Sequence, residues 1–333
     1  MTRRRALTAI AVAAGLALLA WQVNRTGVAN IAQGLTLVGW WGMFGIVVLS
    51  LLRFAARSTG WSALIPGETP PGRALAAMIA GEAVGSLTPL SMIVSEPTKA
   101  AYLADGTPGS LSVSDALAAL AAETFIFAVS IAIYVIAGTA VLFYVFEIDA
   151  TLRLAGVIAF TGMAGVLVVA SWMAWRKPAV VSAVLAKVPI RRIANLAVGM
   201  HAFERTAYGS TAHSTARLGV VVAAVTVFHI FSFLELWFTL WLLTGQSLFA
   251  AAFILDTVGR LTNVVFKMIP LQLGVLQVGS ELVAQTMGLP AGVGVTVSLV
   301  RTVRVLGWSI VGLALLGKRG LVQGSKGPKV QGS

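Results

Sequence analysis

Long apolar stretches alternate with short polar segments along the chain. A helix needs about 20 apolar residues to cross the hydrocarbon core of a membrane, and six stretches meet this requirement, namely residues 6–22, 37–57, 113–144, 152–175, 218–243 and 292–317. Two further apolar stretches, 74–104 and 248–288, are interrupted near Pro89 and Pro270. The pattern predicts an all-α integral membrane protein with about six full transmembrane helices and two broken segments.

Composition supports this fold class and narrows the possible partners. The chain is 58% hydrophobic and 11% charged, whereas a soluble domain carries roughly a quarter charged residues. The net charge is +12, but the basic residues cluster between apolar stretches rather than forming a face with stacking aromatics, so nucleic acid is not an expected partner. Because the chain has no cysteine and its three histidines lie far apart in sequence, we expect neither a metal nor a cofactor.

Basic residues indicate the orientation of the helices. Three arginines at positions 3–5 place the N-terminus on the cytoplasmic side. The apolar run after them resembles a signal peptide, but further spans follow, so we expect a retained first span. Basic residues recur after the second span, after the fourth span and at the C-terminus: Arg57 and Arg73; Arg176, Lys177, Lys187, Arg191, Arg192, Arg205 and Arg217; Lys318, Arg319, Lys326 and Lys329. Both termini are therefore predicted to be cytoplasmic.

This orientation requires each broken segment to enter and leave the membrane on one side. Segment 74–104 would then be a re-entrant hairpin from the cytoplasm and 248–288 a hairpin from outside, so the two halves are predicted to be inverted repeats. We expect one membrane domain over 1–317, with repeat one at about 37–145, a cytoplasmic or interfacial connector at about 176–217 and repeat two at about 218–317. Residues 318–333 are predicted to be a disordered basic tail.

The two prolines have matching surroundings. They lie 181 positions apart (270 − 89); Glu96 and Gln277 follow seven residues after them, and Glu123 and Arg304 follow thirty-four residues after them. A proline within a membrane helix frees backbone groups that lipid cannot satisfy, and paired broken helices indicate the binding site of a transporter. The sequence therefore predicts one translocation site built from two halves.

Charged residues inside the predicted membrane segments are the remaining site candidates. Each costs on the order of 3 kcal/mol if it is unpaired near the bilayer centre, so these residues are expected to face one another, water or substrate. They are Glu82, Glu96, Lys99, Glu123, Glu235, Asp256, Arg260, Lys267, Glu281, Arg301 and Arg304. Asp256 and Arg260 lie four residues apart and are predicted to form a structural pair. For Arg301 and Arg304, two interpretations stay open: a functional one, with an anionic headgroup or a partner such as Glu123 or Glu96, and a purely structural ion pair.

No catalytic motif competes with this interpretation. The sequence has no Walker loop, dinucleotide fingerprint, metal-spaced His/Glu cluster or nucleophile elbow, so we do not expect an enzyme. Several short motifs are more informative. They are the helix with Glu235, the run Asp256–Arg260, Ile269-Pro270 with Leu273–Val275, Gly288–Pro290, Ser298–Arg304, and in the first half Thr88-Pro89 with Ser95–Ala100. These pieces resemble the lysylphosphatidylglycerol synthase transmembrane region, a family of flippase-like proteins, with spacing closest to its hopanoid-biosynthesis-associated subgroup.

The resemblance implies a multi-pass protein of the bacterial inner membrane that moves a lipid between leaflets. Where the family usually has a carboxylate, this chain has Gln277, with Glu281 one turn later, which puts proton coupling at that position in doubt. The synthase members also carry a soluble aminoacyl-transfer domain, and no segment here fits one, so lipid modification is not expected.

Three hypotheses follow. In the first, membrane lipids with anionic or polar headgroups bind between the two hairpins, where Lys99, Arg301 and Arg304 attract the headgroup and Glu96 and Glu123 balance charge. In the second, the same basic pocket carries a small soluble anion. In the third, the protein is a scaffold for lipid-synthesis enzymes; lipid-synthesis partners or a homo-oligomer would be compatible with any of these.

Overall fold

The structure, a computed structural model, describes residues 28–67, 69–88, 91–104, 111–176, 215–266, 272 and 274–325. The predicted first span at 6–22, both prolines that interrupt the apolar stretches, Lys267 and nearly all of the predicted connector lie outside the described residues. So do residues 326–333 of the predicted tail.

The described chain is all-helical, as predicted. Its nine helices are α1 (Val28–Leu64), α2 (Pro71–Leu87), α3 (Ser91–Leu103), α4 (Val113–Val145), α5 (Ala150–Arg176), α6 (Thr215–Thr244), α7 (Phe249–Val265), α8 (Val275–Thr286) and α9 (Val293–Ser325). Five of them, α1, α4, α5, α6 and α9, are long and apolar enough to cross a membrane. These five correspond to the five predicted spans that fall within the described residues.

Three helix boundaries differ from the prediction by more than three residues. Helix α1 begins at Val28 instead of near position 37, and Gly39 interrupts its helical backbone with a φ of 71°. Helix α1 continues to Leu64 instead of ending near position 57, so Arg57 lies within a candidate span instead of flanking it. Helix α9 continues to Ser325 instead of ending near 317. Arg319 explains part of this extension, because its Nη2 donates to the Ala104 carbonyl at 2.8 Å and its guanidinium lies 4.4 Å from the centre of the Tyr102 ring.

The two interrupted segments are each a pair of short helices. Helices α2 and α7 have 17 residues each, and their partners α3 and α8 have 13 and 12. At 1.5 Å per residue the longer members measure about 26 Å, which is less than the hydrocarbon core of about 30 Å. None of the four helices is therefore long enough to span the hydrocarbon core alone, even when it stands perpendicular to the bilayer.

Helix packing distributes the apolar core into two main clusters. The first joins α1, α2, α3, α4 and α6 around Trp61 and Met78, and the second joins α4, α6, α7, α8 and α9 around Leu240 and Ile254. Helix α6 contributes to both, and its buried Glu235 lies between Val225 of the first cluster and Leu240 of the second. Polar side chains on α6 are thus held between two apolar clusters.

Helix α5 lies at the periphery and packs chiefly against α4. Several of its large apolar side chains are exposed, among them Ile158, Val168 and Trp175. Because the chain is a multi-pass membrane protein, this face is suited to contact with lipid tails.

Candidate functional site

Glu235 is the centre of a buried ion-pair cluster. It lies on α6, is 7% exposed, and receives hydrogen bonds from arginines on two other helices. Arg304 of α9 donates through Nη1 to both carboxylate oxygens, at 2.6 Å for Oε2, and Arg53 of α1 donates through Nη1 to Oε2 at 2.7 Å. One carboxylate therefore bonds two guanidinium groups, and it ties α1 and α9 to α6.

A second ion pair joins α1 to α4. Arg57 donates from Nε and Nη2 to the two oxygens of Glu123 at 2.9 and 3.2 Å. The guanidinium of Arg57 lies 4.1 Å from the centre of the Phe127 ring, where a cation–π contact adds to the ion pair. Glu123 is fully buried. The sequence suggests Glu123 or Glu96 as a carboxylate partner of Arg304, but Arg304 bonds Glu235 instead.

The Asp256–Arg260 contact expected from the four-residue spacing is present on α7. Arg260 donates from Nε and Nη2 to Asp256 Oδ2 at 3.0 and 2.8 Å, and Ser232 donates to Asp256 Oδ1 at 3.1 Å. The Arg260 guanidinium lies 4.0 Å from the centre of the Tyr134 ring. These contacts satisfy the charge of Arg260 within the helix bundle.

Lys99 connects the two short helices of the first interrupted segment. It is 1% exposed, and its Nζ lies 3.0 Å from Glu96 and 3.6 Å from Glu82. Gly81 permits this placement, because a Cβ at that position would collide with the Lys99 side chain. Lys99 and Glu96, both predicted site residues, thus contact each other.

A cavity of about 180 Å³ lies beside these ion pairs. Four arginines line it, Arg53, Arg57, Arg301 and Arg304, together with Glu82 and apolar side chains that include Phe54 and Trp308. The arginines on α1 and those on α9 thus border one space. The structure brings Arg301 and Arg304 to this cavity, while Glu123 and Glu235 bond the arginines that line it.

Arg301 differs from the other three arginines of the cavity. Within the part of the chain that the structure describes, it forms no ion pair within 4.0 Å. Its guanidinium lies against the backbone of α7, where a Cβ added to Gly259 would collide with Nη1. A second cavity of about 20 Å³, lined by Arg301, Asp256 and Glu235, has room for about one water molecule.

Gln277 and Glu281 of α8 make local contacts. Gln277 accepts a hydrogen bond from the Gly274 N–H at 2.7 Å, at the start of its own helix. Glu281 accepts from the Gly292 and Val295 N–H groups at 2.7 and 3.2 Å, at the start of α9. Neither residue lines the arginine cavity.

Four residues near the site were not predicted from the sequence to be part of it. Arg53 lies inside the predicted span 37–57. It could have been identified as a site candidate from the sequence, because it is a charged residue within an apolar stretch. The predicted second span ends at position 57 and places Arg57 at the membrane boundary, whereas helix α1 continues to Leu64. Tyr134 and His229 stack with ring centres 5.1 Å apart, and His229 Nε2 lies 2.8 Å from Ser130 Oγ; no sequence signal distinguishes these two side chains.

The site is suited to binding an anion. It presents guanidinium groups, whose planar sets of N–H donors match phosphate and carboxylate oxygens. Among the described residues, no group of three or more histidine, aspartate or glutamate side chains is placed to hold a metal ion.

Comparison with known proteins identifies a family. The family model described as lysylphosphatidylglycerol synthase TM region matches residues 7–313. No curated protein matches the chain, and no solved structure matches it.

Proposed function

We propose, starting from the membership of this chain in the lysylphosphatidylglycerol synthase transmembrane-region family, that the protein moves a lipid with a polar or anionic headgroup between the leaflets of a membrane. The observation that carries this proposal is the cavity in which arginines from α1 and α9 meet. Ionisable side chains buried in a membrane protein commonly mark substrate or ion pathways. Here the arginines outnumber the carboxylates that bond them.

The buried ion pairs support an internal repeat. In the first half, Arg57 on α1 pairs with Glu123 on α4; in the second, Glu235 on α6 pairs with Arg304 on α9. Arg57 and Glu235 lie 178 positions apart (235 − 57), and Glu123 and Arg304 lie 181 positions apart (304 − 123). The same contact thus recurs in both halves with acid and base exchanged.

Helix lengths and packing support the same repeat. Helices α2, α3 and α4 have 17, 13 and 33 residues, and α7, α8 and α9 have 17, 12 and 33. Helix α2 packs against α9 of the other half, and α7 packs against α4. An inverted arrangement of the halves would let the cavity open alternately to the two sides by rocking, as in other transporters with inverted repeats.

The two short helix pairs, α2–α3 and α7–α8, act as re-entrant hairpins, because each of their helices is too short to span the membrane alone. The protein lies in the bacterial inner membrane as a single membrane domain, with both termini in the cytoplasm. The protein binds and releases the lipid without changing the covalent structure of the lipid, so it is not an enzyme.

A leaflet-exchange assay tests the proposal. The purified protein is reconstituted into liposomes that contain a trace of fluorescent phospholipid, and the fraction of label reaching the other leaflet is followed over time. We expect the protein to accelerate exchange and Arg301→Gln to slow it at least tenfold. Arg153→Gln is the matched control, because Arg153 is an exposed residue of α5 away from the cavity.

Two results would contradict lipid translocation. One is exchange no faster than in protein-free liposomes for phospholipid, polyprenyl-phosphate and hopanoid probes alike. The other is accumulation of radiolabelled inorganic phosphate in the same liposomes without lipid exchange, which would favour transport of a small soluble anion.

A further inference from the structure

The smaller of the two cavities beside Arg301 has a lining of its own. Its volume of about 20 Å³ holds one atom or molecule the size of water. Thr239, Val297 and Val300 line this small cavity but not the arginine cavity, and none of the three is more than 4% exposed. The small cavity therefore has no room for a lipid headgroup, which contains several non-hydrogen atoms.

The charged groups around the small cavity do not balance among the described residues. Its lining has three guanidinium groups and two carboxylates, namely Arg53, Arg301, Arg304, Glu235 and Asp256. The lining thus has one positive charge in excess. Arg260 bonds Asp256 from outside the lining and raises this excess to two. A water molecule in the cavity would leave the excess unchanged, whereas a monovalent anion would reduce it by one.

Hydrogen-bond donors are also left over beside the small cavity. The buried Nε atoms of Arg53 and Arg304 have no partner in the described structure. Arg301 forms no ion pair with any residue that the structure describes. A buried N–H without an acceptor is destabilising, and hydrogen bonds from a charged donor to a charged acceptor are stronger than neutral ones. An anion would therefore gain both charge compensation and strong hydrogen bonds.

We infer that the small cavity binds one chloride ion between Arg301 and Arg304. A halide ion carries its whole charge on one atom of about the size that the cavity accepts. Phosphate and sulfate have five non-hydrogen atoms and do not fit the volume of about 20 Å³. The inference goes beyond the proposed function and does not depend on lipid transport, because the chloride site excludes a headgroup.

Thermal unfolding of the purified full-length protein in detergent tests for the ion. Sodium chloride is titrated against sodium gluconate at constant ionic strength, with sodium bromide and sodium sulfate as further probes. At a hundredfold excess of chloride over its dissociation constant, the melting temperature should be about 5 °C higher than in gluconate. Bromide should act like chloride. No rise above gluconate, or an equal saturable rise with sulfate, would overturn the inference.

Two substitutions on α9 distinguish the small cavity from the arginine cavity. Val300 lines only the small cavity, and Val305 lines only the arginine cavity. Val300→Ile adds a methylene group that occupies the chloride site, so it should weaken chloride binding at least tenfold. Val305→Ile is the matched control and should leave the chloride-dependent shift unchanged. The opposite result, or equal effects of the two substitutions, would contradict binding in the small cavity.

The charge requirement is tested at Arg301. Arg301→Gln should reduce the affinity for chloride at least tenfold, whereas Arg301→Lys, which keeps the charge, should retain most of it; unchanged affinity in Arg301→Gln would contradict the inference. Anomalous scattering from crystals of the unaltered protein grown in bromide gives a measurement that needs no variant. We expect a bromide peak beside the guanidinium groups of Arg301 and Arg304. A peak confined to the arginine cavity, or no peak, would overturn the assignment.

Discussion

The Arg57–Glu123 ion pair offers the sharpest test of how charge is held inside this bundle. Glu123 is fully buried and bonds Arg57 through both oxygens. Removing one partner of a buried pair costs about 3–5 kcal/mol, because the other charge is left uncompensated, whereas replacing both partners by apolar side chains is often close to neutral. We therefore expect Arg57→Met and Glu123→Leu each to destabilise the protein strongly, and the double variant to recover most of the loss.

The measurement is thermal unfolding of the purified variants in one detergent. At about 2 °C per kcal/mol for a chain of this size, each single substitution should lower the melting temperature by at least about 6 °C. The double variant should lie within a few degrees of the unaltered protein. Arg153→Met is the control for the loss of an exposed arginine. The reasoning is refuted if the two single effects simply add in the double variant, or if either single variant melts within about 2 °C of the unaltered protein.

Two further substitutions test packing and helix capping. Gly138→Ala should destabilise the protein by about 1–3 kcal/mol, because its Cβ would collide with Thr257, whereas Gly162→Ala has no atom within 4 Å and should be neutral or stabilising; equal melting temperatures for the two would contradict the close contact of α4 with α7. Glu281→Ala should speed amide hydrogen exchange at the start of α9, since it removes the acceptor of the Gly292 N–H, and unchanged exchange there would show that this cap does not stabilise the helix.

The sequence predicted the helices well, because their signal is local. A stretch of about 20 apolar residues has to become a spanning helix wherever it packs, and five predicted spans correspond to helices of that length. The Asp256–Arg260 contact was predictable for the same reason, since four residues make about one helical turn. The offset between the two interrupted segments likewise pointed to matching pairs of short helices.

Tertiary structure alone decided which charges meet. The sequence suggested Glu123 or Glu96 as the carboxylate facing Arg304, but Arg304 bonds Glu235, and Glu123 bonds Arg57, whose place inside the membrane segment the sequence did not show. These partners lie 69 and 66 positions apart, and only the packing of α9 on α6 and of α1 on α4 brings them together. The sequence determined that buried charges must be compensated, because an unpaired charge in a membrane is costly. Helix packing determined that Arg301 is the arginine of the cavity without a carboxylate partner among the described residues.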